Sequence, residues 1–155
     1  MIKIKIKNKL DMTKLATKIA LLAKKGDVIG LNGTLGAGKT FFASAFINSL
    51  LDQKISVTSP TFNLLYTYST KHAEIYHFDL YRLKKEEELY NIGIEDSIIN
   101  GISLIEWPNL AKNLITKNFL DIEIKIDGEK ERIMILKPDI TWNNRLLHYE
   151  ISNLA

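Results

Sequence analysis

The chain has 155 residues, 46% of them apolar, which suits one domain with a sizeable core. Its formal net charge of +3 permits phosphate or RNA partners without requiring them, and the lack of cysteine excludes disulfides and thiol chemistry. No apolar stretch approaches the roughly 18 residues of a membrane span and no signal-peptide pattern is present, so we expect a cytoplasmic protein without membrane contact.

Hydrophobic periodicity predicts strands and helices that alternate along the chain. In chain order these are strand 2–7, helix 11–25, strand 27–31, helix 40–51, strand 55–58, strands 62–68 and 74–78 as a hairpin, helix 84–90, strand 102–105, strands 122–126 and 132–136 as a second hairpin, and a terminal helix 142–154. This order predicts an α/β fold with a mostly parallel central sheet, antiparallel additions and flanking helices. We expect a single domain over residues 1–155, with a short tail from about residue 138.

The most informative motif is a phosphate-binding loop. Residues 33–40 read Gly-Thr-Leu-Gly-Ala-Gly-Lys-Thr, the complete Walker A pattern, between a predicted strand and a predicted helix. Its glycines let backbone N–H groups face phosphate oxygens, while Lys39 reaches the β- and γ-phosphates and Thr40 offers a hydroxyl to Mg²⁺. The motif predicts a P-loop NTPase domain. The expected nucleotide contacts are Gly33, Thr34, Leu35, Gly36, Ala37, Gly38, Lys39, Thr40 and Phe41.

Two acidic residues qualify as the magnesium-orienting carboxylate that such a loop needs. Asp79 closes the predicted strand 74–78, and Glu106 closes the predicted strand 102–105. Because the carboxyl ends of parallel strands line the ligand crevice, both acids are expected to face the metal. One would hold Mg²⁺ while the other orients the attacking water, and sequence order leaves open which does which.

Several neighbouring residues have a functional and a plain structural interpretation. The hydroxyls of Ser59 and Thr61 flank Pro60, where they either sense the γ-phosphate like a switch segment or belong to an ordinary turn. Arg82 is a candidate for phosphate or partner contact. Trp107 is a candidate partner anchor. The residues His77 and Tyr81 are interpreted as packed or capped side chains.

At this point the motifs resemble one specific family. The segments that carry the resemblance are, in order, Gly33–Thr40, Ser-Pro-Thr-Phe at 59–62, His-Phe-Asp-Leu-Tyr-Arg at 77–82, Glu-Glu-Leu at 87–89 with Gly93, and Ile-Glu-Trp-Pro at 105–108. Together they are similar to the TsaE family, also called YjeE, the bacterial ATPase of threonylcarbamoyladenosine tRNA modification. The resemblance runs from about residue 10 to residue 137.

The resemblance implies a small P-loop α/β domain that hydrolyses Mg-ATP slowly and is stimulated by partner proteins. The implied partners are the TsaD and TsaB subunits, through which tRNA is contacted indirectly, and the isolated protein is expected to be a monomer or to self-associate weakly. The implied roles are phosphate binding for Lys39, Mg²⁺ binding for Thr40 and Glu106, hydrolysis for Asp79, a switch-like segment for Ser59 and Thr61, and nucleotide or partner contact for Trp107.

The chain departs from the family pattern at two positions. Thr34 stands where the family usually has Asp, and Asn109 stands where Glu or Gln is common after Trp-Pro. Position 34 is variable in the generic phosphate loop, so we expect ATP binding to survive.

Three other function classes compete with this interpretation. A GTPase is suggested by Asn8–Asp11, which matches the guanine-reading Asn-Lys-x-Asp, but the Asp-x-x-Gly expected after the loop is absent and Asp11 fits a helix start. A small-molecule kinase usually needs several arginines, and this chain has only Arg82, Arg132 and Arg145. The serious alternative is a nucleotide-gated binding module that assembles a complex with little turnover.

Overall fold

A computed structural model of the chain describes residues 1–149, and its centre is one seven-stranded mixed sheet with helices on both faces. In chain order the elements are β1 (Ile2–Ile6), α1 (Lys9–Leu22), β2 (Val28–Asn32), α2 (Lys39–Leu50), β3 (Leu65–Ser69), β4 (Glu74–Asp79), α3 (Glu87–Asn91), α4 (Ile94–Asn100), β5 (Ile102–Glu106), a 3₁₀ helix (Pro108–Leu114), β6 (Phe119–Ile126), β7 (Arg132–Pro138) and α5 (Ile140–His148).

The strand order is β1-β7-β6-β2-β5-β4-β3. The four middle strands β6, β2, β5 and β4 run parallel. At the two sides β3 pairs antiparallel with β4 and β7 pairs antiparallel with β6, and the edge strand β1 pairs antiparallel with β7. This confirms the predicted parallel centre with antiparallel additions. The parallel register places the end of β2, which enters the phosphate loop, beside the ends of β5 and β4.

The burial pattern explains why these segments form strands. β5 is buried at every position, as a central parallel strand covered on both faces should be. In β1 the isoleucines Ile4 and Ile6 are buried and the alternating Lys3 and Lys5 are exposed, so the pattern marks an edge strand with one solvated face. Ile29 and Leu31 of β2 join a core cluster with α1 and α2, whereas Val28 joins the cluster under α3 and α4. Alternate side chains of β2 thus pack on opposite faces of the sheet.

Two predicted strands differ from the structure. No strand forms at 55–58, because the backbone N–H and C=O of Ile55 bond to the side-chain amide of Asn48 instead of a neighbouring strand. The strand expected from residue 62 begins only at Leu65, because Leu64 adopts a left-handed conformation with φ 68° that interrupts extended structure. The second predicted hairpin is confirmed, with β6 beginning three residues earlier than expected.

The helices after β4 were less predictable. The helix expected at 84–90 corresponds to α3, which is shorter. It ends before Gly93, whose φ is 71°, and a further helix, α4, follows that the sequence did not predict. The helix α5 begins at Ile140 because the Asp139 side chain accepts a hydrogen bond from the Trp142 N–H, and residues 150–154 of the predicted terminal helix lie outside the described residues. Across residues 1–149, no helix combines the length and apolar character that a membrane crossing requires.

Candidate nucleotide-binding site

The phosphate loop follows β2 and leads directly into α2, which begins at Lys39. Gly33, Gly36 and Gly38 have φ angles of 154°, 79° and 116°, a region that side-chain-bearing residues rarely adopt. At Gly33 a Cβ atom would also lie 2.7 Å from the carbonyl oxygen of Ile124, so only glycine fits. This backbone path directs the first N–H groups of α2 toward the interior of the loop, where an anion is favoured.

Lys39 is 5% exposed and its ammonium folds back onto the loop. The Nζ atom donates hydrogen bonds to the carbonyl oxygens of Gly33 at 2.6 Å and Thr34 at 3.0 Å, and it lies 4.1 Å from the ring centroid of Trp107. Burial lowers the pKa of Lys39 from its ordinary value, and the nearby Glu106 carboxylate opposes that shift. A phosphate chain beside Nζ would favour the charged form of the amine.

The two strand-end acids lie side by side. Asp79 and Glu106 are register partners on β4 and β5, and they are 4% and 2% exposed. Thr40 Oγ1 donates to Glu106 Oε1 at 2.8 Å, which joins the helix start to β5. Ser59 Oγ lies within hydrogen-bonding distance of carboxylate oxygens of both acids. Thr61 Oγ1 donates to Asp79 Oδ2 at 3.1 Å.

His77 is a member of this cluster that sequence reasoning missed. Its ring is fully buried and Nε2 lies 2.7 Å from Glu106 Oε2, while Nδ1 has no hydrogen-bond partner in the described part of the chain. Because a carboxylate oxygen accepts, this contact is a hydrogen bond from the Nε2–H of His77 to Glu106. The spacing offered a way to find it, because residues two apart on a strand share a face and His77 precedes Asp79 by two.

The phosphate loop, the hydroxyls of Ser59 and Thr61 and the two strand-end acids line a cleft of about 260 Å³ at the carboxyl edge of the sheet. Its lining residues are Leu35, Gly36, Gly38, Lys39, Thr40, Phe41, Ser59, Thr61, Asp79, Glu106 and Trp107. The Trp107 ring also packs against Tyr81, with 4.9 Å between ring centroids, so Tyr81 supports the cleft wall. A larger and mainly apolar cleft of about 520 Å³ shares Gly36, Gly38 and Phe41 with it and extends toward Ile6 and Met12.

Four of the residues singled out in the sequence lie outside the smaller cleft. Arg82 is exposed, and its guanidinium carbon lies 5.0 Å from the ring centroid of the exposed Phe62. The side chain of Thr34 is exposed, and only its carbonyl oxygen bonds within the loop. Asn8 and Asp11 form a helix cap, because Asn8 accepts from the Asp11 N–H and Asp11 accepts from the Lys7 N–H. This explains the Asn-Lys-x-Asp match without a guanine site.

The donor set fits a magnesium ion. Thr40 Oγ1 lies 2.8 Å from Glu106 Oε1, Ser59 links Glu106 to Asp79, and all four residues line the cleft; oxygen donors are the ligands that Mg²⁺ prefers. Within residues 1–149, no group of three or more His, Asp or Glu side chains is placed to hold a metal alone. A cation here would therefore rely on phosphate and water oxygens for its remaining ligands.

The parallel sheet, the glycine loop that enters α2 and the adjacent strand-end acids define a protein of the P-loop fold class. Residues 6–134 match the family model described as "Threonylcarbamoyl adenosine biosynthesis protein TsaE". The chain belongs to the TsaE family.

Relatives and a solved structure agree with this assignment. The chain is 41% identical to the tRNA threonylcarbamoyladenosine biosynthesis protein TsaE of Rickettsia felis, over 83% of this chain and 75% of the relative. It is 38% identical to the protein of the same name from Bacillus subtilis, over 79% of this chain and 77% of the relative. The crystal structure of Bacillus subtilis YdiB superposes with a TM-score of 0.74 at 28% identity, covering 96% of this chain and 92% of YdiB.

Proposed function

We propose that this protein acts in tRNA threonylcarbamoyladenosine biosynthesis, where it binds Mg-ATP and hydrolyses it in association with a TsaD–TsaB complex in the cytoplasm. The observation that carries the proposal is the convergence of Lys39, Thr40, Asp79 and Glu106 in one cleft at the end of β2. The names of the curated relatives support the pathway. The phosphate-loop motif supports the nucleotide.

The two connected clefts suit the two halves of a nucleotide. The phosphates would lie against the loop, with Lys39 leaving the carbonyls of Gly33 and Thr34 to bind the β- and γ-phosphates. The base would lie in the apolar cleft beside Phe41 and Met12. Residues 33–41 and Trp107 would thus form the nucleotide site.

Thr40 and Glu106 would hold the magnesium ion, which neutralises charge on the phosphate oxygens when it is bound. His77 holds the Glu106 carboxylate from the buried side, through Nε2. The Glu106 oxygen that accepts from Thr40 is the other one, so the carboxylate is fixed between a buried ring and the cleft. Fixed carboxylates of this kind spare the site from reorganising during the reaction.

Asp79 would orient the attacking water. One of its oxygens accepts from Thr61, and the other accepts from the Tyr81 N–H at 3.0 Å, so the carboxylate is held firmly at the cleft. Asp79 would align a water molecule that replaces the Ser59 or Thr61 hydroxyl. Lys39 would stabilise the charge that develops on the transferring phosphoryl group. Ser59 and Thr61 would then act as the switch-like segment.

The partner surface would lie around the mouth of the cleft. Phe62 is 81% exposed beside Arg82, and Tyr81 and Leu35 are also exposed. Aromatic and arginine side chains are the residue types that most often anchor protein interfaces. We propose that these side chains contact TsaD–TsaB, and that tRNA is reached through that complex by an otherwise monomeric protein.

The decisive experiment is tRNA modification reconstituted over many turnovers with and without this protein. We expect ATP to support repeated modification and a non-hydrolysable ATP analogue to fail, because the cycle needs hydrolysis. Full support by the analogue would favour a nucleotide-gated module over an ATPase. Lys39→Ala is expected to abolish both ATP binding and modification. Titration calorimetry with ATP and GTP completes the test, since tighter GTP binding would overturn the choice of nucleotide.

A further inference from the structure

Arg132, at the start of β7, joins two loops through backbone carbonyls alone. Its Nε donates to Ala37 O at 2.8 Å and its Nη2 lies 3.4 Å from Gly36 O, both in the phosphate loop. Its Nη1 donates to Glu131 O at 2.8 Å, with the carbonyls of Gly128 and Glu129 at 3.5 and 3.4 Å, in the connection between β6 and β7. Neither loop lies near the other in sequence.

These contacts act on the part of the loop that a phosphate would use. The carbonyl and the following N–H of a trans peptide point in opposite directions, so fixing the Ala37 carbonyl also fixes the direction of the Gly38 N–H. A loop that binds anions needs its N–H groups turned inward, which leaves its carbonyls turned outward. Lys39 holds the carbonyls of Gly33 and Thr34, and Arg132 holds those of Gly36 and Ala37.

The environment of Arg132 differs from that of an arginine in an ordinary ion pair. In the described residues no carboxylate lies within 4.0 Å of its guanidinium, whereas Arg145 pairs with Asp27. The planar fork of arginine presents donors in several fixed directions, which suits simultaneous contact with carbonyls of two loops. The loop glycines otherwise allow many backbone conformations, so a peptide plane held from outside limits that freedom.

We propose that Arg132 is a positioning residue of the phosphate loop, which orients the Ala37–Gly38 peptide for phosphate binding and couples this orientation to the β6–β7 connection. The inference rests on the proposed function, since it takes the phosphate chain of a nucleotide as the ligand. Arg132 acts through the loop backbone. Its removal should therefore weaken every ligand that uses the phosphate loop, with or without a base.

The test compares Arg132→Met, Arg132→Lys and the matched control Lys130→Met, which removes a positive charge from the same connection. Calorimetry with Mg-ATP and with inorganic tripolyphosphate, which lacks a base, should show affinity losses of about tenfold for both ligands in Arg132→Met. Arg132→Lys should recover part of that loss. Because Lys130 lines the proposed base cleft, Lys130→Met is compared on tripolyphosphate, where it should lose clearly less affinity than Arg132→Met. The amide resonance of Gly38 in the ligand-free protein should shift in Arg132→Met and stay in place in Lys130→Met.

Thermal unfolding of each variant without ligand separates positioning from stability. The inference would be overturned if Arg132→Met lowered the unfolding temperature but left the affinity and the Gly38 resonance unchanged. Arg132 would then contribute to stability alone. Equal affinity losses in Arg132→Met and Lys130→Met would overturn the inference, because both residues would then act only by attracting the negatively charged ligand. If Arg132→Met does not fold, Arg132→Lys must still lose more affinity than Lys130→Met. Failure of the wild-type protein to bind ATP or tripolyphosphate would instead remove the proposed function itself.

Discussion

Buried acids occur at both ends of the central strands, and their partners differ. Before β2, Asp27 is 1% exposed and is held by the Arg145 guanidinium and by the Lys24 N–H. At the opposite ends of the parallel strands, Asp79 and Glu106 are nearly as buried, yet within residues 1–149 no Lys or Arg lies within 4.0 Å of either carboxylate. They are held by hydroxyls, a backbone N–H and a histidine.

The difference separates an acid that is held in an ion pair from acids whose partners are exchangeable. The Asp27–Arg145 pair satisfies its own charge and ties α5 to the turn before β2, where Arg145 also donates to the Leu22 carbonyl. The pair at the phosphate loop has no Lys or Arg within ion-pair distance in the described residues, and its hydroxyl partners can yield to water or a cation. Two adjacent carboxylates without a cation are costly for stability alone, which is typical of a site that binds one.

Asp79→Asn is expected to give the largest effect of the changes that test this contrast. It keeps the shape of the side chain but removes the charge that would orient water, so turnover should fall by about 10²–10⁴-fold. ATP affinity should stay within about threefold of the wild-type value, because the phosphates bind to the phosphate loop and not to Asp79. Phosphate release and calorimetry on one preparation measure both quantities. Equal losses of affinity and turnover would contradict the assigned role.

Arg145→Met should act on stability and leave the nucleotide site intact. The substitution leaves the buried Asp27 carboxylate without its ion-pair partner, so the free energy of unfolding in urea should drop by about 3–5 kcal/mol. The double change Asp27→Asn with Arg145→Met should recover much of this loss, because no unpaired charge remains. ATP affinity, measured where the variant is folded, should match the wild type. A loss of affinity without a loss of stability would erase the contrast between the two regions.

The pH dependence of stability should also identify Asp27. Burial raises its pKa from the ordinary value of 3.8, against the opposing effect of Arg145, so the folded state binds this proton more tightly than the unfolded state. The stabilisation is complete below pH 3.8 and is lost as the pH rises through the folded pKa. The difference in unfolding free energy between wild type and Asp27→Asn should therefore decline with pH over that range, by at most about 1.4 kcal/mol per unit, and then level off. A difference that grows with pH would mean a lowered pKa.

Thr34→Asp, which restores the residue usual in the family, should have the smallest effect. Thr34 contributes only its carbonyl to the loop and its side chain is exposed. An exposed charge is worth about 1 kcal/mol or less, so ATP affinity should change by about fivefold at most in calorimetry. A tenfold change would show that this side chain takes part in nucleotide binding. An unchanged affinity with altered stimulation by TsaD–TsaB would assign it to the partner surface.

Much of the fold followed from sequence because its elements carry local patterns. The alternation in β1, the apolar run of β2 and the Asp-Gly turn between β6 and β7 each predict their own conformation. One failure lies where a side chain takes the backbone hydrogen bonds that a strand would need, at Ile55, whose backbone bonds to Asn48. Another lies where Leu64 adopts a left-handed conformation that no local pattern signalled. The assigned roles of the site residues stay predictions, although the structure brings Lys39 and both acids together.

The sequence by itself determined the phosphate loop, because a glycine pattern constrains the backbone locally, and it placed Asp79 and Glu106 at the ligand edge of the sheet, because parallel strands end at one edge. That the two acids are register partners was decided by the order of β4 and β5 in the sheet. Only the tertiary structure decided that His77 holds Glu106 and that Arg132 holds the loop carbonyls. Arg132 lies 95 residues from Ala37 along the chain. Contacts between such distant segments depend on strand order and register, which local residue patterns do not encode.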